Sequence, residues 1–137
     1  MNLFNTLAIN IEVNATSPTF PNLDSPQYPI IIAILLYNNC SYKILHTPKD
    51  VPTYNDLTSD DMENITFIHC SSERELLQTL INELTTPNLD VIAGKTLDLD
   101  LKYIFNRANL YNIKKPNLSN VTLISSKDDE PIVIPSP

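Results

Sequence analysis

Glycine is nearly missing from this chain: Gly94 is the only one, and tryptophan is absent. A single glycine excludes a glycine-rich phosphate loop and a strand-turn-helix nucleophile elbow, because both need backbone freedom at several neighbouring positions. Left-handed turn positions must then fall to other residues, and the many Asn side chains tolerate that conformation best. Cysteine is sparse as well. Cys40 and Cys70 cannot build a disulfide framework, and the N-terminal residues carry no leader-peptide pattern. The two read as free thiols in a reducing, cytoplasmic compartment. The Asn-x-Ser/Thr triplets at Asn14, Asn39, Asn64, Asn117 and Asn120 follow from an Asn/Ser/Thr-rich composition and are not read as glycosylation sites. Positive charge is short too, with 9 Lys and Arg against 16 Asp and Glu, a net charge of -7. Phosphate neutralisation supplies much of nucleic-acid affinity, so this balance argues against tight autonomous binding of DNA or RNA. A domain that meets nucleic acid through bound divalent cations would tolerate it. Long apolar runs are lacking: Ile30–Tyr37 is the longest at 8 residues, against roughly 20 for a bilayer span. The expectation is a soluble protein with no membrane association.

What is present is enough for one domain: 137 residues can enclose a single core. Leu3 to Val13 is rich in Leu and Ile and reads as a strand near a sheet centre. Residues 14–29 hold Pro18, Pro21, Pro26 and Pro29 and read as a loop, because proline forbids ladder pairing. Pro29 to Tyr37 is a buried strand, and Asn38-Asn39 a tight turn into Ser41–His46, giving a hairpin. A surface loop over 48–64 leads to a fourth strand, Ile65–His69. Ser72 and Glu75 have capping-box spacing. Leu76, Leu77, Leu80, Ile81 and Leu84 then form one apolar stripe on a helix that stops before Pro87. A strand over Leu89–Ala93, a turn at Gly94, a helix over Leu99–Asn112 and a strand over Val121–Ile124 complete the pattern. The reading is an α/β domain over 1–124, a β-hairpin meander followed by β-α-β-α with helices packed on a mixed sheet, and a flexible acidic, Pro-rich tail over 125–137. In the tail the acids and the short Pro-Ile-Val-Ile-Pro run read as disordered, or as a docking peptide that adds a strand to a partner. His46, His69, Cys40 and Cys70 match no compact zinc spacing, and His69 and Cys70 fall on opposite faces of a strand.

Three segments, in order, resemble the 3′–5′ exonuclease domain of family-B DNA polymerases. Leu7-Ala-Ile-Asn-Ile-Glu-Val13 resembles the strand that bears that family's Asp-Ile-Glu motif. Phe20-Pro-Asn followed by Pro29-Ile-Ile-Ile-Ala33 is similar to its Pro-containing loop and Pro-Ile-Ile strand. Glu73-Arg-Glu-Leu-Leu77, Asn88-Leu-Asp-Val-Ile92, Gly94, Leu99-Asp-Leu101 and Tyr103-Ile-Phe-Asn-Arg-Ala108 resemble its Glu-x-Glu-Leu-Leu helix, Asp-Val-Ile-x-Gly strand, Phe-Asp and Tyr-Leu-x-x-Arg-Ala helix. The resemblance implies a ribonuclease-H-like fold, truncated and degenerate relative to the family.

It also implies a chemistry against which the residues can be tested. Such exonucleases use two divalent metals about 3.5–4 Å apart, one activating water and one stabilising the leaving oxygen. Hard cations such as Mg²⁺ or Mn²⁺ are held by carboxylate oxygens. Glu12 matches the Glu of the first motif and Asp100 the Asp of the second, so these are the expected catalytic and metal-ligating remnants. Asn10 stands where the metal-bridging Asp is usual, and an amide offers one neutral oxygen where a bridging carboxylate is needed. Lys95-Thr96 replaces the second motif's Tyr-Asn. No third motif is visible: neither Tyr103 nor Tyr111 has an Asp four positions on, and Asp128 or Asp129 would have to substitute. Asp98 and Asp100 also suit the start of a helix. The leading reading is therefore a catalytically inactive exonuclease-like domain, a binding or structural module among DNA polymerase or replication proteins, with no cofactor and weak or no nucleic-acid binding of its own. The alternatives are an active Mg²⁺- or Mn²⁺-dependent exonuclease with a remodelled site, and a protein-interaction module with no nucleic-acid role.

Overall fold

The computed structural model describes residues 5–14, 28–49, 64–86 and 88–126. Elements are numbered in chain order: β1 (Thr6–Val13), β2 (Ile30–Tyr37), β3 (Ser41–His46), β4 (Ile65–His69), α1 (Glu73–Leu84), β5 (Val91–Gly94), α2 (Leu97–Leu110) and β6 (Thr122–Ser125). The Pro-rich stretch over 15–27, most of the 48–64 loop and the tail from 127, with Asp128 and Asp129, lie outside the described residues.

Asparagine does take the left-handed positions. Asn38 and Asn39 have φ of 51° and 58°, Asn88 68° and Asn112 57°, and no glycine has positive φ. Consecutive left-handed residues form the tight turn whose twist matches that of the strands it joins, so Asn38-Asn39 closes the β2–β3 hairpin. Asn38 also reaches across the sheet: its side-chain oxygen accepts from Thr6 N–H at 2.8 Å and its own N–H donates to Thr6 carbonyl at 3.0 Å.

The six strands pair in the order β4-β3-β2-β1-β5-β6. β1, β2 and β3 form an antiparallel meander, β5 lies parallel to β1 on the other side, β6 is parallel to β5, and β4 is parallel to β3. This is the ribonuclease-H-like mixed sheet that the resemblance implied. Because side chains alternate along a strand, Leu7, Ile9, Leu35, Leu45 and Ile92 share one face. Leu76, Leu77, Leu80 and Leu84 of α1 and Leu101 and Ile104 of α2 pack on that face in a single cluster. Each fully buried Leu or Ile there contributes about 2 kcal/mol. Among the described residues, no helix is long and apolar enough to cross a membrane.

The boundaries shift modestly from the sequence reading. β5 extends to Gly94, and α2 begins at Leu97 instead of Leu99. Ser125 is the last residue of β6, and Ser126 N–H still donates to Gly94 carbonyl at 3.0 Å. The capping box forms with one change. Ser72 Oγ accepts from Glu75 N–H at 3.2 Å, but Glu75 reaches one residue further back, to Ser71 N–H at 2.8 Å.

Candidate functional site

Asn10 and Glu12 lie on β1, on the face opposite the helices, and both are exposed. The parallel pairing of β1 with β5 ends at Ala8↔Ala93, so Asn10 and Glu12 project just beyond the point where β5 turns toward α2. An acid in the middle of a central strand is costly unless it is paired or ligating. Glu12 escapes that cost because this end of β1 has lost its β5 neighbour and the carboxylate faces water.

Gly94 sits at the crossing. A Cβ placed on it would lie 3.0 Å from Ile9 carbonyl oxygen, closer than a side-chain carbon normally approaches backbone. The chain then turns through Lys95 and Thr96 into α2. Lys95 and Asn10 line one cleft of about 220 Å³, with Ala8, Ile9, Ile34, Leu36 and Tyr42 completing its walls.

Asp100 lies in the first turn of α2, partly buried. Burial raises its carboxyl to about 6, the nearby Asp98 adds to the rise, and a hydrogen bond from Thr96 opposes it. Thr96 Oγ1 donates to Asp100 Oδ1 at 3.3 Å. The helix N-terminus is satisfied from elsewhere: Thr96 is the N-cap residue but makes no side-chain capping bond, and Ser125 Oγ of β6 accepts from Leu97 N–H at 3.0 Å. The same hydroxyl donates to Asp98 Oδ1 at 3.2 Å. Asp98 is therefore a first-turn acid and not the cap.

The tyrosines that might have supplied a third motif are engaged in the scaffold. Tyr103 Oη donates to Tyr28 carbonyl at 2.7 Å and Tyr111 Oη to Glu73 Oε1 at 2.6 Å. Among the described residues, no group of three or more His, Cys, Asp or Glu side chains is placed to hold a metal ion. The described residues lining the cleft of Asn10 and Lys95 include no carboxylate, the group that attracts a pair of divalent cations.

Two placements escaped the sequence reading. Glu73 is buried at the start of α1, where its carboxylate accepts from Arg107 Nε at 2.9 Å, from Arg107 Nη2, from Tyr111 Oη and from Ile30 N–H at 2.7 Å. Burial pushes this carboxyl up, but the hydrogen bonds outweigh it and hold Glu73 below its ordinary range. Glu73, Tyr103 and Arg107 were singled out only as carriers of a resemblance, and no local spacing announces a pair 34 residues apart. The other is the histidine pair. The β3–β4 register sets His46 beside His69, with ring centroids 5.4 Å apart. His46 Nδ1 is 2.8 Å from Pro48 carbonyl and His69 Nε2 is 3.2 Å from Thr47 carbonyl, so both rings brace the chain leaving β3.

The sequence matches the family described as DNA polymerase family B, exonuclease domain, over residues 2–131. The chain belongs to that family. Comparison with curated proteins gave no significant match. The fold places Glu12 near the C-terminal end of β1 and Asp100 on the helix that follows β5. It also puts Lys95 in the cleft beside Asn10.

Proposed function

We propose that this exonuclease-family domain does not cleave nucleic acid and serves as a binding or structural module in DNA replication, alongside polymerase or other replication proteins. The observation that carries the reading is the shared cleft of Asn10 and Lys95. An amide replaces the carboxylate that would bridge two cations, and an ammonium adds positive charge where cations would have to gather. The net charge of -7 supports a protein partner over direct capture of a polyanion. The module needs no divalent metal and works in the cytoplasm.

The test is degradation of labelled single-stranded DNA in Mn²⁺ or Mg²⁺, run with the wild type, Asn10→Asp and Glu12→Ala. The expected result is no cleavage by the wild type. Cleavage that disappears in Glu12→Ala would overturn the proposal and establish a remodelled metal-dependent exonuclease. Affinity capture from the host decides the rest: absence of polymerase and other replication proteins among the captured partners would remove the replication role.

A further inference from the structure

Positive charge is concentrated in one stretch of this acidic chain. Residues 95–126 hold Lys95, Lys102, Arg107, Lys114 and Lys115, five of the 9 Lys and Arg, against Asp98 and Asp100, two of the 16 Asp and Glu. Within that stretch α2, the segment after it and β6 line a groove of about 590 Å³. Its apolar wall is Leu101 and Phe105 of α2 with Leu118 and Leu123. Lys102 and Lys115 bring positive charge to the wall, and Lys115 Nζ lies 5.3 Å from the centre of the Phe105 ring. Asp98 is the one acid lining it among the described residues, and Ser125 Oγ already donates to its Oδ1 at 3.2 Å. Apolar surface continues beyond the groove. Residues three and four apart are neighbours on a helix, so Leu99, Lys102, Asn106 and Leu110 form one stripe along α2 whose middle members line the groove. Leu99, Leu110 and Leu123 are 45%, 61% and 49% exposed, and they are the exposed large apolar side chains among the described residues.

A lone exposed leucine needs no explanation, but three that border one groove mark a contact surface. We propose that this surface docks an acidic segment of a partner protein. The partner's large apolar side chains enter the groove, and its carboxylates meet Lys102 and Lys115. The proposal rests on the binding-module reading above and names the surface that such a module uses. Charge complementarity picks the partner's sign. Most of the chain's acids lie outside residues 95–126, so the rest of the molecule repels an acidic segment while this stretch attracts it, and the field directs where it lands. The leucines pick the partner's class. A nucleic acid would also match the lysines, but its phosphate backbone has no apolar groups to bury against Leu99, Leu110 and Leu123. Bases are captured by stacking on aromatic faces, and Lys115 already covers a face of Phe105. A protein segment that alternates acids with Leu or Phe satisfies both features of the surface at once.

The test is amide chemical-shift mapping on the full chain with a synthetic peptide, acetyl-Glu-Asp-Leu-Asp-Glu-Phe-Asp-Glu-amide. The same peptide with Lys for every acid and a single-stranded thymidine oligonucleotide are run beside it. The acidic peptide should shift the amides of Lys102, Phe105, Leu118 and Leu123, and the other two probes should not. Lys115→Glu and Leu123→Ser should each weaken peptide binding about tenfold. Lys49→Glu makes the same charge change at an exposed position outside the groove and should leave binding within about twofold. The amides of Leu7, Ile9 and Leu35 report that every variant is folded. Absence of shifts up to about 1 mM acidic peptide would overturn the proposal, as would equal binding of the Lys peptide. Shifts of the same amides by the oligonucleotide would also overturn it and give the groove to single-stranded nucleic acid. The groove shares no lining residue with the cleft of Asn10 and Lys95, so the two readings fail separately. DNA cleavage by the wild type removes the non-cleaving module, whereas a failed peptide titration without cleavage removes this surface alone.

Discussion

Arg107, near the end of α2, grips Glu73 at the start of α1 through two guanidinium nitrogens, and both side chains are nearly inaccessible to water. Removing one member of a buried ion pair leaves the other charged and unpaired, which costs about 3–5 kcal/mol. Glu73→Gln should therefore lower stability by about 3 kcal/mol in chemical denaturation. Glu73→Leu combined with Arg107→Met should be markedly milder, because no charge is stranded. The pH dependence has a definite sign. Glu73 is held below its ordinary range, so its contribution is present above pH about 4.3 and is lost as the solution is acidified through the lower folded value.

Gly94→Ala tests the strand crossing. The added methyl would meet Ile9 carbonyl at 3.0 Å, and the obstacle is backbone, which cannot swing aside like a side chain. Overpacking of this kind costs about 1–3 kcal/mol, and loss of β1–β5 pairing should appear as faster exchange at Val91 and Ala93, the β5 amides that face β1.

Asp100 should make the protein less stable as pH rises. Its folded value of about 6 lies above the ordinary 3.8, so the folded state holds the proton more tightly than the unfolded chain. Stability is then full below pH about 4 and declines as pH climbs through 6. Thermal melts in EDTA at pH 5 and pH 8 should show the decline, and Asp100→Asn should flatten it. The variant's advantage at pH 8 should be about 1 kcal/mol, well under the value of an unscreened two-unit shift, because the carboxyl is part-exposed.

Divalent cations should leave the melting temperature of the wild type unchanged. A ligand held by the folded state at 100 times its Kd adds about 2.7 kcal/mol of stability. Asn10→Asp combined with Lys95→Asn supplies a carboxylate and withdraws the competing cation. Mg²⁺ or Mn²⁺ should raise the melting temperature of that variant alone.

Elements with a strong local signal were legible without coordinates. The Asn38-Asn39 hairpin, the capping box at Ser72 and the leucine stripe of α1 each depend on neighbours within a few residues, so propensity and periodicity announce them. The two residues of α2 before Leu99 were hidden because the first amide is satisfied by Ser125, 28 residues away. The candidate site was legible as residue types and obscure as an arrangement. Asn10 could be read as the wrong group for a metal, but its shared cleft with Lys95 depends on β5 lying against β1. His46 and His69 looked unrelated because parallel pairing of β3 with β4 joins residues far apart in sequence, which no spacing rule detects.

The grip on Glu73 also dictates an order of assembly. The β2–β3 hairpin closes over a short stretch of chain and can form while the rest is still extended. Glu73 must wait for partners on both sides: Ile30, 43 residues before it, and Arg107 and Tyr111, 34 and 38 after it. Closing such spans costs entropy before any contact repays it, so this cluster is expected to form after the local turn and helices. A chain stalled before α2 docks would hold a carboxylate at the mouth of its core with no countercharge. The second half of the domain thus licenses the first.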